Sequence, residues 1–84
     1  MNYRDHALVL LNEWHLCEKT RPKHNAVDLR LEKDSCEQWA IYLNNTLAWG
    51  VDNDKDIAEA CHQLESRLKV LKEKLVFEVL KYGV

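Results

Sequence analysis

The stretch of sequence that decides the fold runs from residue 54 to residue 82 and reads DKDIAEACHQLESRLKVLKEKLVFEVLKY. Its apolar residues recur at alternating steps of four and three, which is typical of a helix that buries one continuous stripe. The stripe consists of Ile57, Cys61, Leu64, Leu68, Leu71 and Leu75. Gly83 follows at a position where glycine favours a helix stop. The pattern predicts one long helix over 54–82.

Two further segments show helical periodicity. Residues 3–18 carry apolar side chains three and four positions apart, and the pattern stops near Pro22, which disfavours helical geometry at the residue before it. Residues 35–49 follow Asp34, which forms a capping-box-like pair with Glu37, and they end directly before Gly50. These patterns predict a helix over 3–18 and a second helix over 35–49.

The segment 25–33 is ambiguous. Val27, Leu29 and Leu31 alternate with charged residues, which is the period of a strand. No second candidate strand exists to pair with it, and a lone strand would leave its backbone groups without partners. We therefore expect a short helix or an irregular turn here, with a strand that pairs across a dimer as the alternative.

Composition points to one small helical domain. The chain has 84 residues and a mass of 9.9 kDa, and its two glycines and one proline are too few for the many turns of sandwiches or barrels. We expect a single all-α domain over 1–84 with three main helices. Three widely spaced cysteines do not form a disulfide framework, and no leader or membrane segment is visible. These features predict a cytoplasmic protein without membrane contact.

The sequence lacks the spacings that catalysis or metal binding needs. Its His and Cys residues do not form the paired patterns of a metal site, and Cys61 and His62 are helix neighbours that point in different directions. We expect no enzymatic activity, no cofactor and no metal. We also expect Cys17 and Cys61 to be buried on the apolar stripes, and Cys36, in the first turn of the predicted second helix, to be the most reactive thiol.

The predicted third helix is longer than its intrachain partners. Its roughly 28 residues span about 42 Å, whereas each shorter helix spans about 22 Å. Its last third is apolar on more than one face, which indicates burial against more than one surface. The candidate protein interface is Trp49, Val76, Phe77, Val79, Leu80 and Tyr82. The alternative is that the two shorter helices both converge on this end.

Two basic clusters form the main functional alternative. The net charge is −2, which disfavours a strongly basic nucleic-acid binder, although local clusters could still neutralise phosphates. The candidate nucleic-acid contacts are Lys19, Arg21, Lys23, Arg67, Lys69, Lys72 and Lys74. Glutamates interleave with the second cluster, which favours a solvated face held by ion pairs.

The sequence has Arg4-Asp5, Val9-Leu10 and Trp14 near its start and Leu80-Lys81-Tyr82-Gly83 near its end. Together these short stretches resemble the ends of phage late-gene antiterminators of the Q type. This resemblance would imply a DNA-reading segment beyond the tyrosine, which we do not expect here because only Gly83 and Val84 follow Tyr82, and no site residue follows from it.

These observations lead to three functional hypotheses. The first is a small non-enzymatic protein that binds another protein stoichiometrically as an adaptor, an inhibitor or a small regulatory subunit. Small helical proteins of phages and mobile elements often act in this way. The second is a nucleic-acid-associated regulator that uses the two basic clusters, and the third is a structural homodimer. The expected partner is accordingly another protein, a second copy of the chain, or, as the less favoured alternative, nucleic acid.

Overall fold

The computed structural model describes residues 3–24, 26–49 and 54–83, which form three helices. Helix α1 spans Tyr3–Lys19, α2 spans Val27–Ala48 and α3 spans Asp54–Tyr82. No strand occurs among the described residues. The predicted all-α class, with a long third helix, is confirmed.

Polar contacts between the helices fix their directions. The Arg4 guanidinium donates to the Leu47 carbonyl at 3.1 Å, so the start of α1 lies beside the end of α2. Lys72 donates to Glu13 at 2.8 Å and Lys74 to Glu32 at 3.3 Å. Helices α1 and α3 therefore run parallel, and α2 runs antiparallel to both in a bundle of 45 × 21 × 17 Å.

One apolar core runs along the bundle. All six residues of the stripe predicted on α3 are buried, and Trp14 of α1 and Leu43 of α2 face them. Burial of each large aliphatic side chain contributes about 1.5–3 kcal/mol. The stripe therefore holds the other two helices against α3.

The predicted start of the second helix is wrong. Helix α2 begins at Val27 rather than near residue 35, and its N-cap Ala26 has extended backbone angles and no side-chain cap. Leu29 is 1% exposed, whereas Val27 and Leu31 are 70% and 60% exposed. The alternation at 27–31 thus belongs to a helix that buries Leu29 and, two turns later, Cys36.

The predicted helix ends are recovered where the structure describes them. Helix α1 ends at Lys19, one residue beyond the predicted end. Gly83 has φ +84°, a conformation that glycine adopts readily, and its N–H donates to the Val79 carbonyl at 2.8 Å. Gly50 lies outside the described residues.

Within the part of the chain that is described, no helix has an apolar run of the length needed to cross a bilayer.

Candidate interaction surface at the end of α3

The end of α3 carries apolar side chains that the bundle does not cover. Leu75 is the last buried residue of the stripe, and beyond it Val76, Phe77 and Leu80 are 57%, 59% and 82% exposed. Val79 is half-buried and Tyr82 lies at the limit of exposure. We call Val76, Phe77, Val79, Leu80 and Tyr82 the α3 end surface.

The α3 end surface has two sides. On the first side, Val76, Val79 and Leu80 line a groove of 370 Å³ between α3 and the last turn of α1, together with Cys17, Thr20, Lys72 and Leu75. On the second side, Phe77 borders a hollow of 310 Å³ against the start of α2, lined also by Ala26, Asp28, Leu29, Glu73, Lys74 and Glu78. Both short helices reach the end of α3, yet they leave Val76, Phe77 and Leu80 exposed.

The connection between α1 and α2 covers part of this end. The Lys23 N–H donates to the Gly83 carbonyl at 3.0 Å, and the His24 ring lies 4.5 Å from the Tyr82 ring. One side of the Tyr82 ring therefore contacts His24 of the same chain. The Lys81 ammonium lies 5.5 Å from the centre of the Phe77 ring, a distance typical of a cation–π contact.

Trp49 is separated from the other predicted interface residues. It is exposed, but it follows the end of α2, beside the start of α1 and far from the end of α3. The same half of α2 borders a second apolar hollow of 550 Å³, lined by Gln38, Trp39, Ile41, Tyr42, Asn45 and Glu59. The sequence signal for it is the absence of any charged residue over 38–49.

The predicted nucleic-acid contacts are divided among different faces. Lys72 reaches Glu13 on α1, whereas Lys74 reaches Glu32 on α2, so the two lysines lie on opposite flanks of α3. The hydrogen bond to Glu13 raises the pKa of Lys72. Arg21 turns back to donate to the carbonyls of Glu18 and Thr20 at the end of α1. Lys19, Lys23, Arg67 and Lys69 are exposed.

The cysteines are all buried, and one expectation about them is wrong. Cys17 and Cys61 lie in the core as predicted. Cys36, expected to be the most reactive, is fully buried, and burial raises the pKa of its thiol to about 12. The reason is the early start of α2, which moves Cys36 from a first turn to mid-helix. A reactive thiol needs a lowered pKa, so none of the three has the character of a nucleophile.

No group of three His, Cys, Asp or Glu side chains within the described ranges is placed to hold a metal ion. No family model, curated protein or solved structure matches the chain. The only indications of function are therefore the positions and the exposure of the side chains.

Proposed function

We propose that this protein acts by stoichiometric binding to another protein chain through the α3 end surface, without chemistry of its own. The observation that carries the proposal is the exposure of Val76, Phe77 and Leu80 within little more than one helical turn. Single exposed apolar residues are ordinary on protein surfaces, whereas contiguous ones usually mark an interface. An adaptor, an inhibitor or a small regulatory subunit would work in this way.

The nucleic-acid alternative has weaker support. Binding to phosphates needs cations that share one face, and the best-placed lysines of α3 point to opposite flanks. Each of them already contacts a glutamate of a neighbouring helix. Protein binding is therefore the function that the arrangement favours.

The first prediction concerns photo-crosslinking at the α3 end surface. A photoreactive phenylalanine analogue is placed at Phe77 and, as a matched control, at Leu8, since both side chains are 59% exposed. We expect a discrete cross-linked species from position 77 after illumination of cells in which the protein occurs naturally, and none from position 8. Equal labelling from both positions, or none from either, would contradict the proposal.

A further inference from the structure

We infer that the occupant of the α3 end surface is a second copy of the chain, which crosses the first copy antiparallel at Phe77 and pairs Glu73 of each copy with Lys81 of the other. This inference rests on the proposed function, because it names the partner of the same surface.

The geometry of one helix face underlies the pairing. Glu73, Phe77 and Lys81 follow one another at steps of four, so they share one face of α3. Val70 and Leu80 lie beside them at helical spacing, and both are exposed. The face thus has an aromatic ring at its centre, apolar side chains beside it and opposite charges at its two ends.

The two charges are available for an intermolecular contact. Glu73 and Lys81 are exposed, and neither forms an ion pair with any residue that the structure describes. By contrast, Lys72 and Lys74, which flank Glu73 in sequence, are both paired with glutamates on the other helices. Neither charge is therefore neutralised by an opposite charge in the described part of the bundle, although the Lys81 ammonium lies over the Phe77 and Tyr82 rings of its own chain.

Two-fold symmetry makes this face complementary to itself. A two-fold axis through Phe77 and perpendicular to α3 places Phe77 against its own copy and exchanges positions 73 and 81 between the helices. Glu73 of each copy then faces Lys81 of the other copy, so each of the two contacts joins a carboxylate to an ammonium group. Among the exposed large apolar residues of the described ranges, Phe77 is unique in having opposite charges four residues before and four residues after it.

The expected dimer is modest in size. Standard interfaces bury about 800 Å² per partner, and a single pair of crossing helix ends buries less than that. We therefore expect a dissociation constant on the order of micromolar.

The second prediction tests the register by charge reversal, with sedimentation equilibrium of the full chain as the measurement. E73K and K81E each replace two attractive contacts of the symmetric dimer with two repulsive ones. We expect each variant alone to dimerise about tenfold more weakly than the wild type. An equimolar mixture of the two variants restores opposite charges at both contacts, and we expect it to recover wild-type affinity.

The control is K55E, which reverses an exposed charge at the other end of α3 and leaves dimerisation unchanged. A mixture that associates no better than its components would overturn the pairing of Glu73 with Lys81. A second outcome is a wild-type chain that stays monomeric at high concentration while position 77 cross-links to a different protein. It would overturn the inference that the partner is a second copy, but it would leave the proposed function standing. A monomer without any cross-link would overturn both.

Discussion

Cys36 lies in the middle of α2, fully buried, and its thiol has a pKa of about 12 against an ordinary value of 9.0. Folding raises the pKa of this thiol, so its full contribution to stability is present at pH values below the pKa of the unfolded chain. The contribution declines as the pH rises from the pKa of the unfolded chain towards that of the folded chain. The third prediction is that the free energy of unfolding falls between pH 9 and pH 12. Chemical denaturation at several pH values measures it.

Cys36→Ala provides the comparison, because it removes one titrating thiol and leaves Cys17 and Cys61 in place. Alanine leaves a small cavity, so we expect a lower stability at neutral pH. Above pH 9 we expect the stability of the variant to fall less steeply than that of the wild type, by up to about 1.4 kcal/mol per pH unit. Parallel profiles for the two proteins would show that the Cys36 thiol titrates normally in the folded state.

At the scale of the elements, the sequence predicts the stripe of α3 and its glycine stop, since both depend on local spacing and local backbone preference. The start of α2 could not be predicted in that way. The pair Asp34 and Glu37 imitates a helix start, and the alternation of 27–31 imitates a strand. Only packing against the other helices shows that Leu29 points inward while Val27 and Leu31 do not.

The fourth prediction distinguishes one continuous α2 from a helix that begins near residue 35. Ser35→Pro removes an interior helical hydrogen bond in the observed α2 and should cost about 3 kcal/mol or more. Val27→Pro lies at the first helical position, where the N–H has no helical partner and proline is tolerated. Thermal unfolding followed by circular dichroism measures both. A tolerated Ser35→Pro would contradict a continuous α2, because a helix that starts at 35 accepts proline there.

At the scale of the whole molecule, the candidate site was predictable in part. The sequence alone shows that the last third of α3 has more apolar residues than one helix face can hold. The contacts of His24 with Tyr82 and of Lys23 with Gly83 depend on the path of the connection between α1 and α2, which carries no periodic signal. The sequence also predicts Trp49 in this interface, but the antiparallel course of α2 places it at the other end of the bundle.

The fifth prediction concerns the shape of the dimer. Phe77 lies about nine residues from the midpoint of α3, or about 13 Å along its axis. A two-fold axis there offsets the centres of the two bundles by about 27 Å lengthwise and by about one bundle width sideways. The radius of gyration should therefore rise from 13.8 Å for the single chain to about 21 Å in the dimer. Small-angle X-ray scattering over a concentration series measures this rise. Two bundles packed side by side without an offset would give about 17 Å, so a plateau near that value would contradict a crossing at Phe77 even if the chain dimerises.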